Sequence, residues 1–324
     1  MHPAGKKVLT LPRLSGGRGD ARIKSGTLKT YQRAYNIFIT YLLLAGYYNI
    51  ANPEIIDTLL VDFGEMGASS RSEFGMVIAA VTFFHPTLKK ALCLAPEYKR
   101  GWDFHSTTKH TVPLIAALMW GTAYTLLKQG RARIGLGLVV HYGGYLRPSE
   151  LLNLRTPDCV LPEHRPSSGK RGCYLLLGMR THGTKVRREQ TVELTNPWII
   201  AILRFVLRNT RAGERLFPFD HNQYTQALKG AWSLMNVSNL GLTTYSPRPG
   251  AATDDLLQGV AFSTVQERGR WLHPQSCRIY LDRAQALALT TNAVAARFNR
   301  LAQDPKLIGD VFAFSPLPLP PLHL

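Results

Sequence analysis

Apolar positions recur at a helical interval along much of this chain. Tyr31, Tyr35, Phe38 and Leu42 fall on one stripe, with Lys29 and Arg33 elsewhere on the cylinder. Ser25-Gly26-Thr27 ahead of them is a capping-type helix start. The pattern predicts further helices over 53–63, 70–84 and 87–94, and so a helical bundle of roughly 80 residues. The aromatic stripe belongs in its core rather than on an exposed stacking surface. From Glu97 to His110 the chain turns polar and basic (EYKRGWDFHSTTKH), which predicts a linker, with Trp102 packed at a domain edge.

Beyond the linker the periodicity alternates between helix and strand. Apolar helical patterns cover 113–130 and 134–146. Short β-rich runs follow at 159–161, 172–179 and 186–194, the last two joined by RTHGTK as a hairpin with Gly183 at its turn. Helices are expected again at 196–210, where Asn196-Pro197 is a start signal, at 222–235, and over the Ala- and Leu-rich 284–301. The fold class is therefore mainly α (α+β). A helical domain over 25–108 precedes a mostly helical one over 111–304 with a small antiparallel β-sheet. A Pro-rich tail, 305–324, can bind a partner or nothing.

Charge narrows the partners. Against 21 Asp+Glu stand 39 Lys+Arg, giving +18 and a pI near 10.0. Such an excess points to a polyanion, nucleic acid ahead of membrane, the bland alternative being a solubilising surface. Residues 1–24 hold Lys6, Lys7, Arg13, Arg18, Arg22 and Lys24 against Asp20. That basic arm either tracks phosphates, serves nuclear import, or is a soluble terminus. No apolar run has the roughly 18 residues of a membrane span, and no secretory leader is evident. Cys93, Cys159, Cys173 and Cys277 have no paired spacing, and the ten histidines form no ligand cluster. Neither a metal nor a cofactor is expected, and a reducing intracellular compartment fits the cysteines.

The candidate chemistry lies in two stretches. In 245–280 the chain carries Arg248 among Pro247, Pro249 and Gly250, a turn signal, then a pair of short helices, Gly269-Arg270-Trp271, and Tyr280 nine residues after Trp271. Arginine offers a rigid fork of donors suited to phosphate oxygens, and a tyrosine phenol can bond covalently to phosphorus. About a hundred residues upstream stands Arg147, which Pro148 biases away from helical geometry, with Glu150 close enough to hold its guanidinium. Between the two, seven Lys or Arg against one Glu lie from Arg165 to Glu189.

These motifs resemble the signature boxes of the tyrosine recombinases, the phage-integrase family. Arg147-Pro148-Ser149-Glu150-Leu151 matches the first box; Tyr245-x-x-Arg248, Gly269-Arg270-Trp271 and Tyr280 match the second. The likeness covers roughly 112–300 well and the N-terminal domain loosely. It implies a core-binding domain and a catalytic domain that close round duplex DNA. It also implies a catalytic set of Arg147, Lys185, Tyr245, Arg248, Trp271 and Tyr280, with Tyr280 attacking phosphorus and no metal needed. Lys185 matches the hairpin general acid, and basic neighbours favour a neutral amine there, with His182 as the rival proton donor. Tyr245 departs from the family's histidine. The implied partners are double-stranded DNA and further copies of the chain, as a tetramer on paired sites, inside the cell. Two alternatives share the motifs: a type IB topoisomerase-like strand transferase, and an inactive descendant that only binds DNA.

Overall fold

The computed structural model describes residue 23 and residues 25–47, 52–105, 111–164, 172–178 and 189–279. The chain divides into two compact units, Met1–Lys109 and His110–Leu324. Its described residues are mainly helical, with one small antiparallel sheet of three strands.

In the first unit, α1 (Ser25–Leu44) buries Tyr35, Phe38 and Leu42 of the stripe that the sequence marks, together with Ala34, while Tyr31 is half-buried against the same core. Asn52 caps α2 (Pro53–Asp62), which runs on into a π-helical turn, Phe63–Gly67. Ser70 caps α3 (Arg71–Phe84), and the Glu73 carboxylate reaches back to the Ser69 N–H at 2.7 Å.

The expected helix over 87–94 and the expected linker from Glu97 are both corrected. A 3₁₀ turn occupies Pro86–Lys90, and α4 runs from Leu94 to His105. The reason is a cap from another helix. Buried Asp57 on α2 accepts the N–H groups of Cys93, Leu94 and Ala95 at 2.6, 2.7 and 2.9 Å. A carboxylate so placed satisfies otherwise orphaned helix donors and complements the helix dipole. The apolar side of α4 lays Tyr98 and Trp102 on Phe74, ring centroids 5.7 and 6.0 Å away.

In the second unit α5 (Ala116–Lys128) and α6 (Ala132–Gly143) pack as a pair, joined by α8 (Pro197–Arg208) and α9 (His221–Leu234). Between them run a short α7 (Pro148–Asn153) and the strands β1 (Cys159–Val160), β2 (Cys173–Leu177) and β3 (Gln190–Leu194). The order is β1-β2-β3, with Cys159 opposite Leu175 and Leu175 opposite Val192. Cys173, Leu175 and Leu177 alternate inward, fixing the register by burial. The hairpin turn, with Lys185 and His182, lies outside the described residues, as do the expected helix over 284–301, the basic arm and the Pro-rich tail.

Two last helices, α10 (Pro247–Leu257) and α11 (Phe262–Gly269), complete the described part of the unit. Arg248 sits in the first turn of α10, not on a separate turn. Pro247 occupies the position where a missing N–H costs nothing, so the prolines begin the helix instead of breaking it. Gly250 seats α10 against the backbone just before α5. A Cβ there would lie 1.9 Å from the Leu114 carbonyl oxygen, while the Leu114 N–H donates to the Ser246 carbonyl at 3.0 Å.

Backbone cannot yield as a side chain can. Gly250→Ala should therefore destabilise the protein by about 3 kcal/mol, the upper end for overpacking. Gly230→Ala in α9, where a Cβ meets nothing within 4 Å, should be neutral or stabilising by about 0.5–1 kcal/mol. Urea denaturation of the full chain compares them, and equal midpoints would show that α10 is not seated as described.

Candidate active site

The site is assembled where the loop after α6 meets α10 and the turn after α11. Arg147 caps α7 in extended geometry, φ −80° and ψ 153°. Its N–H donates to Glu150 Oε2 at 2.8 Å and its Nη1 to Glu150 Oε1 at 2.5 Å. One carboxylate thus fixes both ends of the arginine. Just upstream, Tyr145 adopts φ 47° and donates its hydroxyl to Asp255 Oδ2 at 2.5 Å, tying this loop to α10.

Arg248 is buried at 8% exposure. Its Nη2 donates to the Gly269 carbonyl, and its guanidinium carbon lies 5.0 Å from the Trp271 ring centroid. Trp271 also packs edge-on to Tyr145, centroids 6.2 Å apart. Glycine at 269 leaves room for the indole in this position, since a Cβ would fall 1.7 Å from a ring carbon of Trp271. Behind the site, His141 is wholly buried, 2.9 Å from the Tyr224 hydroxyl through Nδ1. Burial, and then the Arg248 charge, pushes its pKa down to about 3, so it is neutral.

Arg270 is a member of this cluster to which the sequence reading gives no role. Its Nη2 donates to Glu150 Oε2 at 2.6 Å and to the Tyr145 carbonyl at 3.1 Å. The turn after α11 thereby joins the two motif stretches: Trp271 meets Arg248 while Arg270 shares the carboxylate of Arg147. Its only signal in the sequence is its place between Gly269 and Trp271.

Of the remaining expected residues, Tyr245 alone is described. Tyr245 is 57% exposed, and among the described residues its hydroxyl has no hydrogen bond to the cluster. Lys185 and Tyr280 lie outside the described residues. The chain is helical over 274–279, anchored by buried Cys277 in a cluster with Tyr145, Ala252 and Val265. Among the described residues no three His, Cys, Asp or Glu stand together as metal ligands, and no helix is long and apolar enough to cross a membrane. A groove of about 800 Å³ is lined by Glu193, Asp254, Asp255 and Glu267 and by none of the three clustered arginines.

Among solved structures, this chain is similar to the Tn1549 transposon integrase in complex with a circular intermediate DNA. The TM-score is 0.60 at 14% identity, over 84% of this chain and 96% of that one. The XerH site-specific recombinase bound to its difH substrate matches with TM-score 0.56 and 14% identity, over 82% and 79%. A lambda integrase dimer bound to a core site matches with TM-score 0.53 and 11% identity, over 82% and 73%. The fold is that of the tyrosine recombinases. No family model matches the sequence, and neither does any curated protein.

Within this recombinase fold, α10 is held by a buried carboxylate. Asp254 Oδ2 accepts the Ala116 N–H at 2.5 Å and the Tyr142 hydroxyl. Burial, reinforced by Asp255, raises its pKa to about 6, although both hydrogen bonds act the other way. A carboxyl held above its usual value near 3.8 binds its proton more tightly folded than unfolded. Its contribution to stability is thus present at pH 4 and lost as pH rises through 6. Asp254→Asn keeps an oxygen acceptor for both donors without the charge. It should match wild type near pH 4 and exceed it at pH 7.5 by up to about 3 kcal/mol in denaturant titrations. A variant less stable than wild type at both pH values would refute this assignment.

Proposed function

We propose that the protein is a site-specific DNA recombinase or integrase that cuts and rejoins DNA through a 3′-phosphotyrosyl intermediate. The observation that carries the reading is the junction at Gly269–Trp271. That segment packs Trp271 on Arg248 and links Arg270 through Glu150 to Arg147, making one cationic cluster from two distant motifs. The recombinase fold supports it, and so does the excess of 39 Lys+Arg over 21 Asp+Glu.

In this reading Arg147 and Arg248 grip the non-bridging oxygens of a scissile phosphodiester. Their donors are fixed in advance, so they stabilise the charge that grows in the pentavalent transition state without reorganising. Tyr280 attacks phosphorus, and the bond to the 5′-oxygen breaks. Lys185 delivers a proton to that oxygen, leaving a free 5′-hydroxyl. The indole of Trp271 holds Arg248 in place, and Tyr245 reaches the phosphate or the nucleophile. Rejoining to another strand reverses these steps. Double-stranded DNA is the partner, two units close round it, and further copies of the chain assemble on paired sites inside the cell. Most affinity comes from contacts to the backbone, so it falls steeply with salt.

Wild-type protein incubated with nicked duplexes of randomised sequence should form a covalent DNA adduct that survives denaturant. Tyr280→Phe should bind DNA and form none. An undiminished adduct in Tyr280→Phe would move the nucleophile elsewhere, to Tyr245 first. Absence of any adduct with wild type would favour the second reading, a DNA-binding protein without strand cleavage, to which the exposure of Tyr245 points.

A bridging 5′ sulfur leaves as a thiolate and needs no proton. Lys185→Ala should cleave ordinary DNA about 10²–10⁴-fold more slowly and the sulfur substrate at nearly the wild-type rate. Rescue of His182→Ala and not of Lys185→Ala would make the histidine the acid.

A further inference from the structure

Arg270 is an expensive residue where it stands. It follows α11 at φ 55° and ψ 40°, a left-handed position that favours glycine and costs a side chain of this kind about 1 kcal/mol or more. Its side chain is only 9% exposed, and burial lowers its pKa, opposing the charge. The ion pair with Glu150 does not account for keeping it. Glu150 already has a partner in Arg147, and one carboxylate cannot neutralise two guanidinium groups. Two of the three Arg270 nitrogens, Nε and Nη1, are buried and have no hydrogen-bond partner among the described residues. Buried donors left this way ordinarily find an acceptor.

The place for one is adjacent. Arg270, alone of the three clustered arginines, lines a depression of about 370 Å³ with Gln190, Gln266, Glu267 and Trp271. Gln190 opens β3 directly after the hairpin and has its own buried, unpartnered amide oxygen. We propose that Arg270 is a third arginine of the phosphate site, presenting Nε and Nη1 to an oxygen of a tetrahedral phosphate while Nη2 holds Glu150. The proposal rests on the recombinase reading for the identity of that phosphate as a scissile phosphodiester. In that setting Arg270 raises the cationic charge of the site by one beyond Arg147 and Arg248. A phosphodiester carries one negative charge and its pentavalent transition state two, so the added charge acts more on the transition state than on the bound substrate.

The test uses two oxyanions of similar size and different charge, tungstate (two negative charges) and perrhenate (one), and no DNA. Both are titrated calorimetrically into the full chain in 0.15 M salt, which screens surface sites. Wild type should bind tungstate in preference to perrhenate. At roughly 6 Å and an effective dielectric of 20, one charge on another is worth about a hundredfold, so Arg270→Gln should lose about that much of the preference. Arg270→Lys, which keeps the charge, should retain most of it. An unchanged preference in folded Arg270→Gln overturns the proposal. Should that variant not fold, tungstate soaked into wild-type crystals decides: the anion should lie within hydrogen-bond distance of Arg270 Nε or Nη1, and tungstate held by Arg147 and Arg248 alone refutes it. Absence of a covalent DNA adduct would count against strand cleavage and leave this anion site standing.

Discussion

Burying a guanidinium costs less where fixed acceptors replace its water, and Arg147 and Arg270 share one such acceptor in Glu150. Its side chain, 7% exposed, receives the Arg147 N–H, the Arg147 guanidinium and the Arg270 guanidinium. Removing one partner of such an arrangement leaves a charge uncompensated in a poorly solvated place. The carboxylate therefore fixes the start of α7 relative to the turn after α11, two segments more than a hundred residues apart in sequence. The site exists because those segments are held to a common point.

The second constraint is the seating of α10. Gly250 allows backbone-to-backbone approach at Leu114, and Asp254 caps α5 through the Ala116 N–H while taking the Tyr142 hydroxyl. One helix face thus bonds α5 and α6 together, and its first turn carries Arg248. Gly269 then clears the space in which Trp271 lies over that arginine. Both glycines are space requirements and not turn signals, since neither has a positive φ.

The same logic explains what was legible in the sequence. The stripe Tyr31–Leu42 was readable because burial on one face of a helix imposes its period on the chain. The strand runs were readable because alternation at Cys173, Leu175 and Leu177 records a two-sided sheet. Arg147 in extended geometry follows from Pro148, its neighbour. In contrast, α4 begins at Leu94 through Asp57, which lies more than thirty residues away, so no local pattern announced it.

By itself the sequence determined most of the described helices, the strand runs of the sheet, the order of the motif residues and the cationic balance. Each of these depends on neighbours within a few positions or on simple counting. Only the tertiary structure decided which charges share a counter-ion. It buried Arg270 beside Arg147, left Tyr245 exposed, and set the close approaches at Gly250 and Gly269. Those outcomes depend on contacts between segments far apart in the chain, and short-range pattern carries no record of which distant groups must meet.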